Sequence, residues 1–395
     1  METAPRYEAA GPPIWPLAIG AGIGVANVYY IQPVLPLVRA SFGAGAEQAS
    51  LVPALTQAGY AAGMLFLAPL GDLLDRKRLI VAKAIILTFA LVASAVAPGL
   101  WFLTLTGIVV GLLGSIGQDF VPVAAHLATD EHRGRTVGIV TTGLLSGILL
   151  SRTLGGVVGG LFGWRAIYWL AAGLIALVGG TVWRVLPSLP PTASGTYREL
   201  LRSLATLATW HPRLRKAVTT QALLAVSLGA FWSTLAMMLA EPPFRFGAGA
   251  AGAFGLAGAA GAFGAPFFGH LADRRGPDVA IRFGCSLVVL SFGAMLVLPG
   301  VLAVLIVGAI LFDLGVMAGL VSHQAIVNAI DPAARSRLNG LLMTAAMTGM
   351  ALGAALGGWA WSRHGWTGVC LVGAVAGGAA LVRSLLPPLN RGVLT

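Results

Sequence analysis

Runs of about 20 apolar residues, the length that crosses a hydrocarbon core of ~30 Å, recur along the whole chain. They fall near 14–40, 49–70, 79–97, 101–128, 137–162 and 165–186, then near 217–240, 248–268, 279–298, 300–329, 338–361 and 366–386. A backbone in hydrocarbon must pair its own N–H and C=O groups, so these runs predict an all-α membrane protein with twelve transmembrane helices. Charge agrees with hydropathy: Asp, Glu, Lys and Arg make up 10% of the 395 residues, far below the quarter typical of soluble chains. The first thirteen residues, METAPRYEAAGPP, carry two acids and three prolines in place of a basic leader. The first apolar run is therefore expected to stay in the protein. Cys285 and Cys370 both lie inside apolar runs, so neither a disulfide framework, a metal site nor a cofactor is expected.

Several breaks between runs are tight and rest on Pro-Gly or Gly-Trp pairs: Pro98-Gly99, Gly163-Trp164, Pro299-Gly300 and Gly365-Trp366. One long polar interval, 187–216, divides the chain. The expected organisation is a six-helix bundle over 1–186, a cytoplasmic linker over 187–216 and a second six-helix bundle over 217–395. Lys and Arg are retained on the cytoplasmic side. With both termini inside, 20 of the 25 bases fall on cytoplasmic segments and helix ends, Lys83 among them, and four fall outside, Arg39, Arg165, Arg245 and Arg363. This placement accounts for the net charge of +11 through the lipid bilayer and without a nucleic-acid partner. Trp15, Trp101, Trp164, Trp183 and Trp366 fall at segment ends, where an interfacial belt is expected, whereas Trp232 lies deep in the seventh run.

The two halves repeat one another. GDLLDRKRL at 71–79 is echoed by GHLADRRGP at 269–277, an offset of 198, and Gly155-Gly156 with Gly163-Trp164 recurs at Gly357-Gly358 with Gly365-Trp366, an offset of 202. A parallel repeat of six helices is an architecture of secondary transporters, with substrate near the midplane between the halves. Spacings of small residues such as Gly349 and Gly353 read as close-packing seams between helices.

The paired loop Gly71, Asp75, Arg76 and Gly269, Asp273, Arg274, with the twelve-helix layout, resembles the major facilitator superfamily. Within it, ANVYYIQPVLP at 26–36, GILLSRTLGG at 147–156, FDLG at 312–315 and DPAARSRLN at 331–339 are similar to bacterial sugar-efflux and purine-nucleoside-efflux permeases of the drug:proton antiporter group. Arg78 stands where the family pattern has Gly, and Leu79 where it has a base. The resemblance implies a fold of two pseudo-symmetric six-helix bundles in a bacterial cytoplasmic membrane, acting as a monomer by alternating access. It also implies that the paired loop, with Arg133 and Arg135, forms a cytoplasmic latch. Asp75 is expected to cap a neighbouring helix and pair with Arg133 or Arg135, with Gly71 and Gly269 allowing close helix approach. A simpler reading makes the loop a topology signal.

Asp119, Arg152 and Asp313 are left within helices once the loops are assigned, and such residues are costly enough to mark function. Asp119 and His126 share one face of the fourth helix, with Gln118 beside them. Asp313, Met317, Leu320 and Gln324 form a stripe on the tenth. The resemblance places the first, fourth, seventh and tenth helices around the cavity, which adds Asn27 and Tyr30 from the first and Gln221 and Trp232 from the seventh as substrate-binding candidates. Counted from the cytoplasmic helix ends, Asp119 lies about 15 Å deep and Arg152 about 24 Å deep. The expected arrangement is an Asp119–Arg152 pair, serving either as a proton-coupling element or as a permanent bridge. Asp313 is read as a second proton site or as the cap of a helix break beside Gly315. His126 and His323 lie within about two turns of cytoplasmic helix ends, where the imidazole is expected to be solvated.

No HExxH, Ser-Lys dyad or GxxxxGK[ST] loop is present, which argues against a membrane enzyme or an ATP-driven pump. A channel or scaffold would not need two homologous halves with matched loops. The expected function is proton-coupled efflux of a small neutral or weakly polar organic solute, with a proton-independent facilitator or uptake permease as the alternative.

Overall fold

The computed structural model describes residues 14–191, 195–331 and 334–388, and within these the side chains of all but 259–266, 271 and 273. Among the described residues the regular elements are helices. They are α1 Ile14–Ala26, α2 Leu35–Phe42, α3 Ala46–Ala62, α4 Leu70–Leu73, α5 Arg76–Ala95, α6 Leu100–Gly114, α7 Ile116–Leu127 and α8 Arg133–Phe162, followed by α9 Trp164–Val185, α10 Tyr197–Trp210, α11 Pro212–Ala240, α12 Ala248–Arg275, α13 Pro277–Val297, α14 Leu302–Asn328 and α15 Arg335–Leu385.

The first crossing is two helices joined by tight turns. Over 27–34 the backbone closes i to i−3 bonds, such as Tyr29 N–H to Ala26 O (3.0 Å) and Gln32 N–H to Tyr29 O (3.2 Å). Pro33 has no amide hydrogen and disfavours the α conformation at Gln32, so the helix cannot run through. The second crossing passes from α3 through a π turn, Gly63–Leu67, into α4. The fourth breaks at Ser115 between α6 and α7.

Gly163 and Gly365 occupy equivalent places in the two halves, and both have positive φ, 82° and 57°. That backbone is open to glycine at little cost. Gly163 ends α8, and Gly365 breaks the helical stretch 335–385 into two crossings. The tryptophans beside them are not interfacial. Trp164 packs on Phe42 and Tyr168, Trp366 on Phe231 and Trp361, and both are buried. Reversal at a single glycine leaves no exposed loop, so the next side chain turns into the bundle. Trp15, Trp101 and Trp183 do stand exposed.

Close seams follow the small residues. A Cβ on Gly349 or Gly353 would lie 2.1 Å from the carbonyl oxygens of Ala222 and Val226 on α11, so α15 approaches at backbone contact. The halves meet where α3 lies along α15 and α8 along α12. Gly156 opposes Gly252, and Gly358 lies over Ser50. Arg39 with Glu241 and Arg363 with Glu47, each 3.3 Å apart, tie the halves at that same end.

At the opposite end, which carries the base-rich loops, α10 spans the gap. Thr196 and Glu199 form a reciprocal cap at its start. Tyr197 donates to Phe66 O (2.8 Å) in the first half, and Arg337 from the second half donates to Ser203 (3.0 Å).

Candidate functional site: a central cavity between the halves

A cavity of about 620 Å³ lies between the two halves, lined by residues from the first, second, fourth, fifth, seventh, eighth, tenth and eleventh crossings. At its base-rich end it reaches Asp72, Arg76 and Arg337, with Leu200 and Leu204 of α10 forming part of the rim. Its far end is covered by the helix contacts and ion pairs that join the halves.

Of the residues named from sequence, Gln118, Asp119, Arg152, Gln221, Trp232, Asp313 and Gln324 line this cavity. Asn27, Tyr30 and His126 do not. Because the turns at 27–34 replace helical periodicity, Tyr29 reaches the cavity wall, while Tyr30 faces a separate outward groove between α1 and α8. Asn27 turns back on its own helix, donating to Ile23 O (2.8 Å) and Gly24 O (3.0 Å). His126 is exposed at the end of α7. His323, expected to be solvated, is buried, with Nδ1 2.9 Å from Gln221 Oε1.

The expected Asp119–Arg152 pair is not formed. Asp119 Oδ2 is 2.6 Å from Lys83 Nζ, and both side chains are almost fully enclosed. Lys83 also donates to Ser115 Oγ at 3.4 Å. Sequence reading placed Lys83 among the cytoplasmic helix ends, yet it lies seven residues into α5, about 10 Å from the start of that helix. The missed signal was a lysine inside an apolar helix within reach of the next helix's lone acid.

Arg152 looks the other way. Its Nε donates to Gln32 Oε1 at 2.9 Å, and its guanidinium sits 3.9 Å from the Trp232 ring centroid and 5.1 Å from that of Tyr29. A cation over an indole face is attracted by the ring quadrupole, more strongly where water is excluded. Trp232 Nε1 then donates to Asp313 Oδ1 at 3.3 Å, so one indole links a cation of the first half to a carboxylate of the second. A Cβ on Gly258 would lie 3.0 Å from Asp313 Oδ2 and 3.2 Å from Trp232. The glycine therefore lets α12 close over both groups. Phe231 braces the indole edge-on, itself packed on Phe312 and Trp366. Helix α14 runs unbroken through Gly315, which packs against Gly284, so Asp313 caps no helix break.

The neutral part of the wall is amide, phenol and thioether. Gln118 Nε2 donates to Tyr60 Oη at 3.1 Å. Met64, Met317, Met343, Met347 and Met350 supply soft, adaptable apolar surface.

The paired loops lie away from the cavity core. Asp75 caps its own helix rather than a neighbouring one: Oδ1 accepts from the Arg78 amide at 3.0 Å, and Oδ2 accepts from the Ser188 hydroxyl. Partial burial raises its pKa, but the Ser188 hydroxyl and the Arg78, Lys77 and Leu189 amides outweigh it and hold the carboxyl below its usual value. Arg133 pairs with Asp130 at 2.8 Å and donates to Ala125 O, while Arg135 borders the α1–α8 groove. Neither meets Asp75, whose two oxygens are taken by the Arg78 amide and the Ser188 hydroxyl. Arg76 packs over Gly71 and pairs with Asp72. Gly269 makes no close approach to a described side chain or backbone, Arg274 is exposed, and the Asp273 side chain lies outside the described residues.

Residues 17–331 match the family model of the Major Facilitator Superfamily. The chain is 37% identical over 372 residues, 94% of each chain, to the "Uncharacterized transporter YgaY" of Escherichia coli O157:H7. A shorter stretch of 135 residues, 34% of each chain, is 26% identical to a "Probable sugar efflux transporter" of Helicobacter pylori. Among solved structures, that of the nucleoside transporter NupG superposes with a TM-score of 0.77 at 14% identity, over 94% of this chain and 98% of the other. Repeat, cavity, sequence and fold converge: the chain belongs to the Major Facilitator Superfamily and is a membrane transporter, not an enzyme.

Proposed function

We propose that the protein exports a small neutral or weakly polar organic solute from the cytoplasm in exchange for protons, by alternating access about the central cavity. The observation that carries this reading is the Arg152–Trp232–Asp313 relay, because it joins the two halves through a group that changes charge on taking a proton. A proton on Asp313 removes the attraction between that carboxylate and Arg152, loosening the relay where the halves must part. The amide and methionine wall suits a neutral organic solute, and the likeness to a protein named as a sugar efflux transporter supports the outward direction. In this reading both termini and α10 are cytoplasmic, and the described conformation opens inward. The paired loops would then latch in the opposite conformation, where Asp75 can meet Arg133 or Arg135. The deciding experiment is transport in proteoliposomes across an imposed pH gradient, screening sugars, nucleosides and drugs. Transport that ignores the gradient for every solute carried would make the protein a facilitator.

Two ion pairs close the far end, and opening outward must break both. Exposed pairs contribute about 0.2–1 kcal/mol each, so reversing Glu47→Arg and Glu241→Arg, which replaces each attraction by a repulsion of similar size, changes about 0.8–4 kcal/mol in all and should shift the population at least about fourfold toward the outward-open state. Ser50, buried under Gly358, supplies the readout. A Ser50→Cys reporter should label slowly with a membrane-impermeant maleimide alone and at least several times faster with both reversals. Equal rates would show that these pairs do not hold the gate.

A further inference from the structure

Lys83 stands behind the cavity wall, not in it. Asp119 lines the cavity, whereas Lys83 reaches the same carboxylate from α5 with 3% of its surface exposed. We propose that Lys83 is a built-in counter-cation that sets the charge selectivity of the cavity, holding Asp119 so that neutral solutes are accepted and organic monocations are refused. The inference rests on reading the central cavity as the substrate site.

Three observations converge on it. An ammonium 2.6 Å from Asp119 Oδ2 supplies what a bound amine or quaternary cation would otherwise supply, and it is tethered, so a ligand competes against a group at very high local concentration. The aromatic platform that would attract a cation, the Trp232 face, already carries Arg152 at 3.9 Å. Last, each carboxylate lining the cavity has a base of its own: Asp72 has Arg76, Asp119 has Lys83, and Asp313 faces Arg152 through Trp232. Arg337, which donates to Ser203, is left over. A low-dielectric cavity with balanced carboxylates and one surplus base offers an organic cation no site, while a single unbalanced carboxylate would attract it strongly. The selectivity thus lies in one buried lysine that no solute need touch.

The test compares 4-phenylpyridine, neutral at mildly alkaline pH, with the N-methyl-4-phenylpyridinium cation, measured by equilibrium dialysis on the purified full chain. The wild type should bind the cation about tenfold more weakly than the neutral compound. A wild type that prefers the cation overturns the proposal. Lys83→Met and Lys83→Gln should each gain cation affinity by about tenfold or more over the wild type, and Lys83→Met/Asp119→Asn should lose that gain. Unchanged cation affinity in either folded lysine variant also overturns it. Adding Met347→Trp, which fills the cavity, separates the two readings. If the gained binding disappears, the cation entered the cavity. If it persists, the cavity is not where solute binds, although Lys83 still masks Asp119.

Discussion

Asp313→Asn is expected to leave solute exchange intact and abolish accumulation driven by a pH gradient. A gradient of one pH unit is equivalent to about 1.4 kcal/mol per proton, so one-for-one exchange sustains about a tenfold solute gradient. In the variant the ratio should fall to one, while counterflow of labelled against unlabelled solute continues. Asparagine keeps an acceptor for Trp232 Nε1 and removes the group that titrates. The choice of Asp313 over Asp119 follows from where each partner sits. Asp119 and Lys83 both belong to the first half, on α7 and α5, so the contact need not change as the halves rock. The Arg152 guanidinium and Asp313 belong to different halves, and on the proposed alternating-access reading their link through Trp232 is remade in every cycle. Asp119→Asn should therefore keep most of the tenfold ratio. If it is Asp119→Asn that uncouples, the relay is structural and the proton site lies at the lysine pair.

The crossings, their repeat and several polar groups of the cavity wall were legible in the sequence because each is written along one helix. Hydropathy marks length, glycine with positive φ marks reversal, and Gln118, Trp232, Asp313 and Gln324 stand out as polar or bulky groups in apolar runs. What could not be read is which helix each polar group turns toward. Lys83 reads along the chain as a cytoplasmic base, and only the packing of α5 against α7 brings it to Asp119, while Arg152 meets Gln32 and Trp232, 120 and 80 residues away in sequence. Tyr30 is named beside Asn27 on helical spacing, but the backbone over 27–34 turns with a shorter period, and Tyr29 is the tyrosine that reaches the wall. The Asp75 latch contact belongs, on the proposed reading, to the other conformation, and a single sequence encodes both.

The buried lysine pair should also have an asymmetric stability signature. Removing one partner of a buried ion pair costs about 3–5 kcal/mol, because the survivor is an uncompensated charge, whereas replacing both by apolar groups of similar volume is often neutral or stabilising. Here the survivors differ. In Asp119→Leu the Lys83 ammonium, behind the wall, keeps only Ser115 Oγ at 3.4 Å, so the full cost is expected. In Lys83→Met the Asp119 carboxylate still faces a cavity that water can enter, and its cost should be about 1–2 kcal/mol, nearer that of an unpaired polar group. Lys83→Met/Asp119→Leu should return to within about 1 kcal/mol of the wild type. Unfolding midpoints in detergent should therefore rank Asp119→Leu lowest, Lys83→Met next, and the double variant beside the wild type, with a coupling term of several kcal/mol in the double-mutant cycle. A double variant as unstable as Asp119→Leu would mean that the pair is there to hold the bundle together. A restored double variant that refuses cationic ligands as the wild type does, beside a Lys83→Met variant that admits them, would mean that the lysine is kept for what the cavity admits.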